Sequence, residues 1–273
     1  MDKDISHNLT LPHYLEKLLS EGRHYFTAEE LQTNLGMNKN TMSASLSRLA
    51  KKKRVKMIRR GFGVILEISG IEPHPSYYIE AMMNHLGVKY YVGLLTSAAY
   101  WGAGHQSSMS YQIVVNRPVF KISFKKNRIE FVTKKETFPE KGIQRVAGIG
   151  GYFKISSPEL TAVDLIRFPK KSGHLNNIAT VLKNLASKWD GRTMFSLCLD
   201  SSVPSVTLQR LGYLLESILG LEKEAGYISR GLHKRRFVSA FLSQANQKND
   251  SRMSHFKYDD RWKLYINTKV EPD

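Results

Sequence analysis

The stretch that most constrains this chain runs from residue 38 to residue 60 and reads NKNTMSASLSRLAKKKRVKMIRR. It holds nine Lys or Arg residues and no Asp or Glu. Met42, Leu46 and Leu49 have the spacing that places apolar residues on one face of a helix. The opposite face is small, polar or basic, and consists of Asn40, Ser43, Ala44, Ser47 and Lys51, with Thr41 and Arg48 on its flank. Such a helix packs on one side and offers short donors and cations on the other, which suits the DNA major groove.

The residues before this helix predict a shorter helix and a tight turn. Thr27 and Glu30 have the spacing of a capping box, which begins a helix with Leu31 turned inward. Gly36 ends that helix because glycine adopts the left-handed conformation common at helix ends, and Asn38 caps the next one. Two helices joined by a short turn that contains glycine form the helix-turn-helix pattern.

Two strands are expected directly after the basic helix. Val55–Ile58 and Val64–Ile68 are rich in β-branched residues, and the basic segment Arg59–Gly63 joins them as a hairpin. The order of elements predicts a winged helix-turn-helix that binds DNA, although a run of charges is also typical of a solvated surface. The residues expected to contact DNA are Lys39, Asn40, Thr41, Ser43, Ser47, Arg48, Lys51, Lys52, Lys53, Arg54, Arg59 and Arg60.

The composition of the whole chain agrees with an acidic partner. Its 273 residues include 41 Lys or Arg against 24 Asp or Glu, a formal net charge of +17. A membrane surface is the competing polyanion, but no segment approaches the roughly 18 apolar residues of a membrane span. The first residues lack the pattern of a signal peptide. We therefore expect a cytoplasmic protein that binds nucleic acid and no membrane.

A boundary between two domains is expected near residues 72–75. Glu72, Pro73, His74 and Pro75 continue neither a helix nor a central strand, because proline lacks the amide proton that both need. Residues 1–72 are expected to form the DNA-binding domain and residues 76–273 a larger mixed α/β domain, so the fold class is α+β. Elements predicted there include helices over Ser76–Leu86, Ser157–Arg167 and Thr207–Leu219, and a hairpin of Val119–Phe124 and Arg128–Thr133 around residues 125–127.

The sequence offers no recognisable catalytic or metal-binding motif. One cysteine and nine scattered histidines give no closely spaced zinc ligands. No Gly-Lys dipeptide is present for a Walker A loop, and no acidic residue stands two positions before a lysine, as restriction-type nucleases need. Asp164 lies in an apolar stretch, where it is expected to bond Arg167 or to cap a neighbouring element. We expect no cofactor, no metal and no enzymatic activity.

Four segments of the second domain resemble the AbiEi family of antitoxins, which belong to type IV toxin–antitoxin and phage abortive-infection systems. They are YYVGLLTSAAYWGAGHQ (90–106), ISSPELTAVDLIRFP (155–169), LQRLGYLLE (208–216) and RWKLYIN (261–267). The resemblance implies an N-terminal winged helix-turn-helix and a transcriptional autorepressor that binds inverted repeats in its own promoter. It also implies a second domain that neutralises a nucleotidyltransferase toxin encoded beside it.

Three residues in these segments combine polar chemistry with apolar neighbours: Ser97, Asp164 and Arg210. We expect them to matter for toxin neutralisation, although each is equally suited to a structural role. Two other functions stay open at this point. The chain is alternatively an enzyme that modifies the toxin or its RNA substrate, or a winged-helix regulator that senses a ligand and has no toxin.

Overall fold

The computed structural model describes residues 10–67, 70–104, 110–124, 128–243 and 255–272. Within these ranges the chain combines α-helices with three β-sheets, which confirms the mixed α+β class. No helix in the described ranges is long and apolar enough to cross a bilayer.

The N-terminal elements form three helices and a three-stranded antiparallel sheet of order β1-β3-β2. They are α1 (Leu11–Ser20), β1 (Tyr25–Thr27), α2 (Ala28–Leu35), α3 (Lys39–Lys51), β2 (Val55–Arg59) and β3 (Phe62–Ile65). The apolar faces of the helices meet in one small core, which includes Leu15, Phe26, Leu31 and Leu46. Strand β1 was not predicted, and residue 68 of the predicted second strand lies outside the described residues.

Local sequence signals set several helix ends as predicted. Gly36 follows α2 with a φ of 61°, in the left-handed region. The Oδ1 atom of Asn38 accepts a hydrogen bond from the Thr41 amide at 2.9 Å and so caps α3. In the same way, the Oγ atom of Ser157 accepts from the Leu160 amide at 3.3 Å and begins the helix Pro158–Arg167.

Only half of the predicted capping box forms at α2. The Oγ1 atom of Thr27 accepts from the Glu30 amide at 3.2 Å, as expected. The Glu30 carboxylate does not return to the Thr27 amide but binds the guanidinium of Arg23. Thr27 is also the last residue of β1, where it lies opposite Phe62 of β3.

The middle of the chain forms a mixed six-stranded sheet of order β6-β7-β5-β4-β9-β8. Its pairs β5–β7 and β4–β9 are parallel and the others antiparallel. The elements are α4 (Ile79–His85), β4 (Tyr90–Val92), α5 (Leu94–Tyr100), β5 (Ser110–Val115), β6 (Ile122–Ser123), β7 (Arg128–Thr133), β8 (Ile143–Gly148) and β9 (Gly151–Ser156). The predicted hairpin therefore forms as β6 and β7, while its basic turn 125–127 lies outside the described residues.

A helical layer and a small third sheet of order β10-β12-β11 complete the fold. The elements are α6 (Pro158–Arg167), α7 (His174–Leu185), α8 (Gly191–Leu199), α9 (Ser205–Tyr213), α10 (Glu222–Leu232), β10 (Ala240–Phe241), β11 (Lys257–Asp259) and β12 (Leu264–Ile266). The largest apolar core joins these helices to one face of the central sheet. Two predicted helices are interrupted: a 3-10 turn precedes α4, and a π-helical turn, Leu214–Ile218, follows α9.

The hairpin of β2 and β3 packs against the central sheet region. Ile58, Phe62 and Val64 share one apolar core with Ile79 and Met82 of α4. The predicted boundary segment is also packed, because Glu72 and Pro75 are buried. The N-terminal elements and the rest of the chain are therefore joined by a common core as well as by the chain itself.

Candidate nucleic-acid interface

Helix α3 divides into a buried face and an exposed face, as its sequence predicts. Met42 and Leu46 are buried, and Leu49 packs against the same core. The residues of the small, polar and basic face are all exposed: Asn40, Thr41, Ser43, Ala44, Ser47, Arg48 and Lys51. The first of the predicted cations, Lys39, is also exposed at the start of the helix. Helix α3 thus carries seven of the twelve residues assigned to DNA from the sequence, and all seven are exposed.

The electrostatics of this face are uniformly positive or neutral. Helix α3 contains no acidic residue. The Nη2 atom of Arg48 lies 3.2 Å from the Oγ atom of Ser45, one turn earlier, and pairs with no carboxylate among the described residues. Short side chains near the helix start allow its backbone to approach another molecule closely, while the cations follow toward its end.

The basic run after α3 turns sharply. Lys53 has a φ of 54°, the left-handed conformation that usually favours glycine, and its amide donates to the Ala50 carbonyl at 2.9 Å. Lys52 and Lys53 are exposed. Arg54 instead reaches back to α1, where its Nη2 atom lies 3.4 Å from Oε1 of Glu16. Two of the three cations in this run therefore remain without a carboxylate partner in the described part of the chain.

The tip of the β2–β3 hairpin is held from two sides. The Gly61 carbonyl accepts a hydrogen bond from the Ala28 amide at 2.8 Å, and the Arg60 carbonyl lies 2.9 Å from Nε2 of His85. Arg59 turns toward the central region, where its Nη2 atom donates to the Phe120 carbonyl. Partial burial lowers the pKa of Arg59. Arg60 is exposed, so it is the cation at this tip that is placed for contact with a partner.

Ser97 is part of a buried hydroxyl cluster. Its Oγ atom donates to the Ser156 carbonyl at 3.0 Å and lies 2.8 Å from Oγ1 of Thr161. All three residues are completely buried. This cluster joins α5, β9 and α6, so any influence of Ser97 on a partner runs through the packing of these elements.

Asp164 lies in the core and does not bond Arg167. Its Oδ2 atom accepts a hydrogen bond from the Tyr91 hydroxyl at 2.7 Å, and its Oδ1 atom lies 3.9 Å from Nζ of Lys134. Arg167 pairs with Glu136 at 2.6 Å instead. Burial raises the pKa of Asp164 and lowers that of Lys134, and their mutual attraction partly offsets both shifts.

The sequence did not point to this buried group. Residues 91, 134 and 164 belong to separate segments, and only the packing of β4, β7 and α6 around one core brings them together. A lysine at the end of an amphipathic strand carries no signal that it is buried. The apolar neighbours of Asp164 were the one available hint.

Arg210 is buried at the edge of a cavity. Its Nε atom donates to the Phe241 carbonyl at 2.9 Å, and 4% of its surface is exposed. Burial lowers the pKa of this guanidinium to about 10. Among the described residues, no Asp or Glu pairs with it, and no group of three His, Cys, Asp or Glu side chains is placed to hold a metal ion.

Comparison with known proteins identifies part of the chain. Residues 91–217 match the family model described as AbiEi antitoxin C-terminal domain, which confirms the resemblance seen in the sequence. The crystal structure of the RV2827C protein from Mycobacterium tuberculosis has the same fold, with a TM-score of 0.64. That similarity covers 96% of this chain and 94% of the other at 13% sequence identity. A search of curated proteins found no match.

Proposed function

Because the chain carries an AbiEi antitoxin C-terminal domain over residues 91–217, we propose that it is an antitoxin that also binds double-stranded DNA and represses its own operon. In this proposal residues 1–72 form a winged helix-turn-helix, and α3 is the recognition helix. Residues 76–273 form the domain that neutralises the toxin. The protein acts in the cytoplasm, where its DNA target lies.

One observation carries the DNA-binding part of the proposal. It is the exposed face of α3, which has no acidic residue and carries Arg48 and Lys51 near its end, followed in the turn by the exposed Lys52 and Lys53. A helix of this composition, supported by two helices and followed by a hairpin, is the arrangement in which winged helix-turn-helix proteins present a helix to the major groove. Cations at the helix end and in the turn suit the phosphates beside that groove.

The DNA target is tested with the promoter of the chain's own operon, where we expect inverted repeats. We expect retardation of this DNA in a gel, with an affinity that falls steeply as salt rises because phosphate contacts release counterions. The variant Arg48→Ala should lose about 1–3 kcal/mol of binding free energy and discriminate less between operator and unrelated DNA.

The control for Arg48→Ala is Lys223→Ala, which removes an exposed cation from α10. It changes the net charge equally but leaves α3 intact. Equal losses in the two variants would indicate a diffuse electrostatic effect and contradict a recognition role for α3.

The toxin proposed as partner is a nucleotidyltransferase encoded beside this chain, as in the antitoxin family. This part of the proposal is supported by the matched C-terminal domain. The test is growth of cells that express the neighbouring gene from an unrelated promoter, with and without this chain. Rescue that depends on this chain supports the proposal, and continued growth arrest contradicts it.

We propose that neutralisation proceeds without catalysis by this chain. Ser97 and Asp164, the polar residues of the matched segments, are engaged in hydrogen bonds within the core. Incubation of purified chain and toxin with nucleotide and Mg²⁺, followed by mass spectrometry of the toxin, separates binding from modification. A covalent change in the toxin that requires this chain would instead support the enzymatic alternative.

A further inference from the structure

A cavity of about 1050 Å³ lies where the end of α6 and the start of α7 meet the C-terminal sheet. Its lining is strongly basic and includes Arg167, Lys170, Lys171, His174, Arg210 and Lys269. No Asp or Glu belongs to the described residues that line it. A concave site with one sign of charge concentrates ligands of the opposite sign.

Three of these cations are paired with carboxylates that stand outside the cavity. Arg167 pairs with Glu136 at 2.6 Å. Lys171 pairs with Glu130 and Lys269 with Glu271, both at 2.5 Å. Within the described residues, Lys170 and Arg210 have no carboxylate partner. The uncompensated positive charge of the cavity therefore belongs to these two side chains.

Of these two side chains, Arg210 is the stronger evidence for an anion site because it is buried. Its Nε atom bonds the Phe241 carbonyl, while its two terminal nitrogens make no hydrogen bond to any described residue. A buried guanidinium without a counter-charge is costly, since water no longer solvates it fully. A planar group with two free terminal nitrogens donates to two oxygens of a phosphate or carboxylate. The cavity that Arg210 lines is where such an anion would compensate its charge.

The start of α7 adds backbone donors to the same cavity. Gly173, His174, Leu175 and Asn176 line it, and they include the first turn of this 12-residue helix. That turn contains no acidic residue and receives no side-chain cap from Gly173. The amide groups of a first helical turn have no partner within the helix and carry a partial positive charge, which favours anions.

The remaining lining is apolar and indicates an organic part of the ligand. Phe168, Pro169, Leu175 and Leu242 contribute to the walls. The volume far exceeds that of an inorganic phosphate and corresponds to the sites of small organic ligands, about 300–1000 Å³. We infer that this cavity binds a phosphorylated small molecule of nucleotide size, with its phosphate at Arg210, Lys170 and the start of α7.

The experiment is isothermal titration calorimetry of the full-length protein with AMP, ATP and inorganic pyrophosphate, without DNA or toxin. We expect saturable binding of at least one nucleotide at one site. Lys170→Ala should weaken it about tenfold, because a hydrogen bond to a charged group is lost. Lys170 is exposed, so this variant should fold normally. Arg210→Gln should weaken binding at least as much, and a thermal melt checks its folding.

The matched control is Lys183→Ala, which removes an exposed cation from α7 outside the cavity. Unchanged affinity in this control, with losses in the other two variants, supports the site. The inference is overturned if neither AMP nor ATP binds saturably, whether or not pyrophosphate does, or if Lys183→Ala weakens binding as much as Lys170→Ala. It is also overturned if a single-stranded oligonucleotide binds this region and nucleotides fail to compete. None of these outcomes depends on the proposed DNA or toxin binding.

Discussion

At the scale of single residues, the Asp164–Lys134 pair is a costly polar feature of the core. Both side chains are completely buried, and at 3.9 Å they are at the outer limit of an ion pair. The Tyr91 hydroxyl supplies Asp164 with its hydrogen bond, at 2.7 Å. A buried pair of this kind contributes little net stability, but removal of one partner leaves the other charge uncompensated.

Asp164→Asn should therefore destabilise the protein by about 3–5 kcal/mol, since it leaves Lys134 buried and unpaired. The double variant Asp164→Asn with Lys134→Met should recover part of this loss, because asparagine still accepts from Tyr91 and no charge remains. Urea denaturation measures both. If the double variant is as unstable as the sum of its single changes, the two residues are not coupled. Glu271→Gln, in an exposed pair, is the control and should have little effect.

Lys53 allows charge to be separated from backbone strain. Its left-handed conformation is one that glycine adopts freely, so Lys53→Gly removes the cation without strain in the turn. We expect this variant to keep its thermal stability but to bind all DNA sequences more weakly. The slope of log affinity against log salt should fall by roughly 1. An unchanged salt slope would place Lys53 away from the phosphates.

At the scale of elements, the sequence correctly predicted those helix ends that are set by neighbouring residues in the chain. Gly36, Asn38 and Ser157 act at helix ends as expected because each acts on a backbone group within three residues. Helices α8 and α10 were not predicted. The apolar run in α8 reads equally well as a strand, and the Asp190 cap that begins it was the missed signal. The strands β1 and β4 are three residues long and exist through their pairing partners.

The candidate site, like the secondary structure, was predictable where local sequence determines it and not where distant contacts do. The exposed face of α3 follows from the spacing of Met42 and Leu46 alone. The partial burial of Arg59 could not be predicted from local spacing, because its partner Phe120 is 61 positions away in the chain. The same holds for Arg210, whose cavity is assembled from α6, α7 and the C-terminal sheet. The burial of these two side chains depends on contacts between residues far apart in the chain, which the local pattern of one sequence does not predict.

The hairpin of β2 and β3 makes an N-terminal fragment a sharp test of domain independence. A fragment of residues 1–72 keeps α3 but exposes Ile58, Phe62 and Val64, which the rest of the chain otherwise covers. We expect it to bind DNA at low salt, and to melt at a lower temperature than the full-length protein because apolar burial is lost. Gel retardation and circular dichroism measure the two properties. A folded fragment that binds no DNA contradicts the assignment of DNA binding to residues 1–72.

At the scale of the whole molecule, the two proposed activities are best separated by surface substitutions rather than by truncation. The triple variant Arg48→Ala, Lys51→Ala and Lys52→Ala changes exposed residues, so it should fold as the full-length protein does. We expect it to lose DNA retardation and to rescue cells fully when the toxin is expressed from an unrelated promoter. If rescue is lost together with DNA binding, neutralisation depends on repression or on the same surface.

The core shared by the hairpin and the central sheet has a consequence for how the protein unfolds. Apolar residues from both sides fill one core, and the hairpin tip is bonded to α2 and to His85 of α4. Unfolding of the central sheet and α4 removes the apolar contacts that support the hairpin. The N-terminal elements and the rest of the chain should therefore unfold as one cooperative event. Unfolding of the antitoxin domain in the intact chain would then weaken operator binding as well. In the proposed function, loss of folded antitoxin would thus itself relieve repression of the operon and restart antitoxin synthesis.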